Sequence, residues 1–138
     1  MDDVFVGSLM SSPVYTVDTD TSLRTAGRLM LEHGIGSVIV VDDQEQLEGI
    51  LTATDFVRII ADGAPDPNAT VGVSMSTDVT TTTANEPIRR VADLMLEHGF
   101  HHVPVLDNGD VIGVITTTDL TAYVSHGAVP SPNEVPDH

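Results

Sequence analysis

Six residues, Leu-Met-Leu-Glu-His-Gly, occur twice in this chain, at Leu29–Gly34 and at Leu94–Gly99. They lie inside a longer duplication: Met10 matches Met75, Val14 matches Val79 and Leu23 falls opposite Ile88, each at an offset of 65. Past the turn at Asp42 and Asp107 the offset drops to 64, and Gly49-Ile-Leu-Thr-Ala-Thr-Asp55 aligns with Gly113-Val-Ile-Thr-Thr-Thr-Asp119. Two copies are too few for an array, and the period is too long for a solenoid repeat. Two copies of one small unit are expected to pack as a pseudo-symmetric pair. A site that one copy builds should then recur, or lie at the seam between copies.

Each copy reads as strand, helix, strand, strand, helix. Val14–Val17 is rich in β-branched residues, and Asp18–Ser22 is a loop of helix N-cap residues. Leu23, Ala26, Leu29 and Met30 have helical spacing, and Gly34 is a natural stop. Val38–Val41 and Gly49–Leu51 are strands flanking a polar turn, and Thr52 opens a second helix carrying Phe56, Val57, Ile59 and Ile60. The second copy repeats the plan: a strand near Val79–Thr82, a helix from Pro87 to His98, strands at Val103–Leu106 and Val111–Ile115, and a helix from Thr117. Pro87 suits the first helical position, where its missing N–H costs nothing. The expected class is α/β (α+β), with two pseudo-symmetric units, each a small β-sheet packed with two helices. Continuous apolar strands imply burial on both faces. A unit of about 60 residues is marginal alone, so the two should share buried surface. The expected division is 1–63 for the first unit, 64–73 for the linker, 74–127 for the second unit and 128–138 for an irregular tail.

Hydrophobic residues make up 41% of the 138, with 4% aromatic and no Trp, so the core must be built from aliphatic side chains and Met. Asp and Glu number 21 against 5 Lys and Arg, giving −16. All five cations are Arg: Arg24, Arg28, Arg58, Arg89 and Arg90. An acidic surface without Lys on a patterned chain suggests a very salty cytoplasm, where screening shortens repulsion to about 3 Å at 1 M salt. The charge argues against nucleic acid, which needs clustered cations, and against an anionic membrane surface. No apolar run approaches the ~20 residues of a membrane helix, and the N-terminus lacks signal-peptide regions. A cytoplasmic protein is expected. Zero Cys excludes disulfides, thiolate-held zinc and thiol catalysis.

The pattern Gly-apolar-apolar-Thr-x-x-Asp after a two-strand hairpin, present twice about 64 residues apart, resembles a tandem pair of cystathionine β-synthase (CBS) domains, a Bateman module. The resemblance spans roughly Gly7 to His126. Met10 and Met75 support it. So does His101-His102-Val-Pro-Val-Leu-Asp107, which is similar to a His-Arg-Leu-Pro-Val-hydrophobic-Asp segment in the regulatory γ subunit of AMP-activated protein kinase. The resemblance implies regulation by an adenosyl ligand (AMP, ADP, ATP or S-adenosylmethionine) bound in clefts between the repeats. It further implies that Asp55 and Asp119 hold ribose hydroxyls and that Thr52, Thr54, Thr116 and Thr118 contact ribose or phosphate. Adenine would lie against the lead-in strand of the opposite repeat: Val79 and Thr80 beside Asp55, Val14 and Tyr15 beside Asp119. His101 and His102 fall where some members place phosphate-contacting cations. Their counterparts in the first copy are the uncharged Gly36 and Ser37, so the two clefts should be unequal. His102 replaces the kinase subunit's Arg. No cofactor is required under this reading. A homodimer joined through exposed apolar helix faces is the implied assembly, and the output passes to an unidentified regulated protein.

Elementary chemistry agrees with these roles. A fixed carboxylate accepts both hydrogen bonds of a vicinal diol. A helix opening at Thr52 or Thr116 offers free N–H groups and a positive dipole end to phosphate. Apolar strands supply a dry slot for adenine. Each motif also has a purely structural reading. Thr-x-x-Asp has the form of a capping box, and His101 and His102 can be ordinary surface or packing residues. Arg24, Arg89 and Arg90 can guide phosphate or pair with carboxylates. The Leu-Met-Leu stripes read as core. Gly49 and Gly113 read as tight-strand positions, since neither belongs to a Gly-rich loop. The His residues show no metal-ligand spacing, and no nucleophile, base and acid fall at a recognisable spacing, so an enzyme is not expected. The alternative to a ligand sensor is a dimerisation scaffold whose clefts stay empty and whose motif Asp residues only cap helices.

Overall fold

The computed structural model describes residues 4–12, 14–63, 66 and 68–127. The irregular tail expected after 127, and parts of the expected linker 64–73, lie outside them; the end of that linker is helical, within Val71–Ser74. The first unit comprises α1 (Val6–Leu9), β1 (Thr16–Val17), α2 (Leu23–His33), β2 (Ser37–Val41), β3 (Leu47–Thr52) and α3 (Ala53–Ala61). The second comprises α4 (Val71–Ser74), β4 (Thr82–Thr83), α5 (Ile88–His98), β5 (His102–Asp107), β6 (Asp110–Thr116) and α6 (Thr117–Gly127). Each unit holds a three-stranded sheet, in the order β1-β2-β3 or β4-β5-β6. In each, the short first strand runs parallel to its neighbour and the hairpin is antiparallel. This is the expected mixed α/β pair of pseudo-symmetric units.

Local chemistry accounts for the element ends. The Ser22 hydroxyl accepts the Thr25 N–H and opens α2. Gly34 and Gly99 end α2 and α5 with φ of 62° and 72°, left-handed values that a side chain resists. Two sequence expectations shift. Pro87 is the N-cap of α5 rather than its first residue, with ψ of 144°. It is held there because Val6 N–H donates to Glu86 O and Ile88 N–H donates to Val4 O, both at 2.9 Å. The lead-in strands begin at Thr16 and Thr82 rather than at Val14 and near Val79, because Val14 and Val79 pack between the sheets instead of joining the ladders.

All five residues of β2 are buried, and their alternation explains why. Val38 and Val40 face Leu23, Ala26 and Met30 of α2. Ile39 and Val41 face a seam with Ile50, against which Val14, Leu47, Val79 and Val111 pack. That seam joins the two units.

The leading helices are exchanged. Val6 of α1 is fully buried in the second unit's core with Val91, Met95, Val103, Val105 and Ile115. Val71 of α4 is fully buried in the first unit's core. Gly7 N–H donates to Ala84 O at 3.0 Å, and Gly72 N–H donates to Thr19 O at 3.0 Å. Past each helix the chain pairs with the last strand of the opposite unit: Ser11 exchanges hydrogen bonds with Val114, and Ser76 with Ile50. This crossing explains Gly49 and Gly113. A Cβ on Gly49 would lie 2.7 Å from Ser76 O and 2.8 Å from Met75 Sδ, and one on Gly113 would lie 2.6 Å from Met10 Sδ. The glycines admit the opposite lead-in.

Candidate functional site: two clefts between the repeats

Where β3 passes into α3, Thr52 and Asp55 form a complete capping box. Thr52 N–H donates to Asp55 Oδ2 at 2.8 Å, the Thr52 hydroxyl donates to the same oxygen at 3.1 Å, and Asp55 N–H donates back to Thr52 Oγ1 at 3.3 Å. Asp55 is only 6% exposed. Its Oδ1 accepts Arg58 Nη1 at 2.9 Å. Thr116 and Asp119 repeat the box at 2.9 and 3.0 Å, but Asp119 Oδ1 accepts the Ser11 hydroxyl, at 3.0 Å.

Each box opens into a cleft against the opposite repeat. The first cleft, about 410 Å³, gathers Thr52, Thr54 and Asp55 with Val79, Thr80 and His101. The second, about 500 Å³, gathers Thr116, Thr118 and Asp119 with Val14 and Tyr15. Both volumes fall in the range of small-molecule sites, about 300–1,000 Å³. The cross-repeat pairing that the resemblance implied is therefore the one the fold brings together. Tyr15 is backed by His33, with ring centroids 4.0 Å apart.

His102 lines both clefts, and so does Gly36. A Cβ on Gly36 would lie 2.9 Å from His102 Cε1, so the two residues form a common wall. His102 Nδ1 is buried without a hydrogen-bond partner. Burial lowers the His102 pKa, His101 lowers it further, and Asp119 opposes both. The neutral imidazole carries one donor and one acceptor.

Arg58, Ser11, Asp78 and Phe100 also stand at the clefts and escaped the sequence reading. For Arg58 the signal was there: it lies three residues after Asp55 on one helix, within side-chain reach. Arg24 and Arg28 line neither cleft; they flank an apolar groove of about 820 Å³ between α2 and α3, where Leu31, Phe56 and Ile60 also lie. Among the described residues no three His, Asp or Glu gather as a metal site, and no helix is long and apolar enough to cross a membrane.

The CBS domain model matches residues 6–62 and 70–126. The chain belongs to the CBS domain family and is a tandem CBS pair. It is similar to an uncharacterised 17.7 kDa protein of Acidianus ambivalens, 31% identical over 116 residues, covering 83% of this chain and 70% of that protein. Two other archaeal relatives are longer, and the chain spans 41% and 62% of their lengths. A solved structure of an uncharacterised conserved protein from Pyrococcus horikoshii superposes with a TM-score of 0.85 at 28% identity, covering 95% of this chain and all of that one. The CBS domain pair of protein MJ0100 superposes with a TM-score of 0.81 at 27% identity, covering 88% of this chain and 95% of that one. It was solved in complex with 5′-methylthioadenosine and S-adenosyl-L-methionine. CBS pairs of this kind are regulatory ligand-binding modules.

Proposed function

We propose that this chain is a regulatory module sensing an adenosyl ligand in the clefts between its repeats. One observation carries the reading: each motif carboxylate faces the lead-in segment of the opposite repeat across a cleft of nucleoside size. The likeness to a pair that holds two adenosyl compounds supports it. Asp55 and Asp119 receive ribose, the neighbouring threonines and helix N-termini receive polar or phosphate groups, and Val79-Thr80 or Val14-Tyr15 flank adenine. AMP, ADP, ATP and S-adenosylmethionine are the candidates. Beyond the shared His102, the first cleft holds Arg58 and His101 together with Asp78, and the second has no Arg, so the two suit different ligands.

A homodimer carries the signal. Leu31 and Ile60 are 85% and 67% exposed beside the α2–α3 groove, a patch that a second copy would cover. The acidic, Lys-free surface suits a saline cytoplasm. The test is calorimetric titration with the four candidates in molar KCl. Saturable binding of one or two equivalents is expected; no heat from any of them would sink the reading. The completed capping boxes favour one competitor, a scaffold in which both Asp residues serve only the helices. A stable dimer that ignores all four ligands would select it.

A further inference from the structure

Among the described residues lining the two clefts Arg58 is the one Arg, and it stands in the first cleft, which also holds Asp78. The Arg58 side chain is 63% exposed, yet its Nη1 reaches down to a carboxylate that is 8% exposed. The residue at the matching place in the second copy is Ala122, which has no charge to bring. A carboxylate has room for about four donors. Asp55 already takes two on Oδ2, from Thr52, and the guanidinium on Oδ1. Asp119 takes the Thr116 N–H on Oδ2 and the rotatable Ser11 hydroxyl on Oδ1.

A ribose diol brings two donors. At Asp119 there is capacity for both, since the Ser11 hydroxyl can turn aside. At Asp55 only one place is free, so the second diol hydroxyl must displace either the part-buried Thr52 hydroxyl or the exposed Arg58, and the exposed pair is the cheaper one to break. The displaced guanidinium stays in the same cleft, which it lines. A ligand phosphate offers it a planar, two-oxygen partner, and the lost ion pair is replaced. A ligand without an anion leaves Arg58 to water.

We propose that Arg58 is a specificity-determining latch that reserves the first cleft for phosphorylated adenosyl ligands, while the second cleft, lacking it, takes unphosphorylated ones. This rests on the adenosyl reading above. The test is calorimetry on the full chain carrying Asp119→Ala, which leaves only the first cleft, with AMP and adenosine as probes differing by one phosphate. With Arg58 present AMP binds more tightly than adenosine. Arg58→Ala should weaken AMP about tenfold, the order of one charge-assisted hydrogen bond, and tighten adenosine severalfold because no pair must be broken. Arg58→Lys should restore part of the AMP affinity. Arg58 is exposed, and loss of such a pair leaves folding intact. Opposite shifts for the two probes support the latch. Equal shifts, or none, overturn it. AMP binding that disappears with Asp119→Ala overturns the latch but leaves the adenosyl reading standing. Absence of binding in the parent chain removes both.

Discussion

Replacing the motif carboxylates separates capping from ligand binding, because the two roles predict different thermal responses. In Asp55→Ala the part-buried Thr52 N–H loses its acceptor, an effect of about 1–3 kcal/mol. The exposed Arg58 contributes less than about 1 kcal/mol more. In Asp119→Ala the Thr116 N–H is stranded alike, without an ion pair, so the loss is about 1–2 kcal/mol. In a chain of this size 1 kcal/mol moves Tm by roughly 3–4 °C. The unliganded variants should therefore melt about 3–16 °C and 3–8 °C below the parent, with Asp55→Ala the lower of the two because it also loses its ion pair. Ligand at 100 times Kd stabilises by about 2.7 kcal/mol per site, or roughly 9 °C. With AMP supplied for the first cleft and adenosine for the second, each variant should lose the increment of its own cleft and keep the other. The assay is thermal unfolding by circular dichroism in molar KCl, with and without ligand. Variants that melt lower yet gain the full ligand increment would show that both carboxylates only cap helices, and the site assignment would fall.

Gly49→Ala should destabilise by about 1–3 kcal/mol, as overpacking does, because its Cβ meets backbone at Ser76; Gly113→Ala should cost less, because it meets mainly the flexible Met10 sulfur. Equal urea midpoints for the two variants would refute that ranking. His102 has a lowered pKa in the folded chain, so the unfolded chain binds more protons below the ordinary value of about 6.5. Stability from this group is complete above that value and is lost as pH falls through it toward the folded pKa. His102→Ser, which copies Ser37, should flatten the decline below about pH 6.5; an unchanged slope in denaturant melts removes His102 as its cause. Leu31→Glu with Ile60→Glu should turn a dimer into a monomer by light scattering, and an intact dimer would place the interface elsewhere. Raising KCl from about 0.1 to 2 M should raise Tm by relieving repulsion among 21 carboxylate residues, and a flat response would contradict the saline reading.

The duplicated segments made both units legible, because each carries a full helix and hairpin with their own period and stops. The opposed placement of Val79-Thr80 with Asp55, and of Val14-Tyr15 with Asp119, came through family resemblance, and the clefts assemble those groups. Periodicity could not reveal α1 or α4, since four residues make barely one turn. Their signal was positional: Val6-Gly7-x-x-Met10 recurs as Val71-Gly72-x-x-Met75 at the same offset. Arg58 was hidden for another reason. On an exposed helix a cation reads as solvated surface, and only the side-chain reach back to Asp55 gives it a role.

The exchange of α1 and α4 has a consequence for what half of this chain would be. Cut between the repeats, either half would carry a Val-Gly plug with no socket and a socket with no plug. Two such halves satisfy each other only by swapping plugs, so their folding would be second order and would fail on dilution. Joining them in one chain replaces that encounter with a tether, at an effective concentration of about millimolar for a short flexible linker. Here the linker acts as a concentration device: it makes a reciprocal handshake between two incomplete bodies independent of how many copies the cell contains.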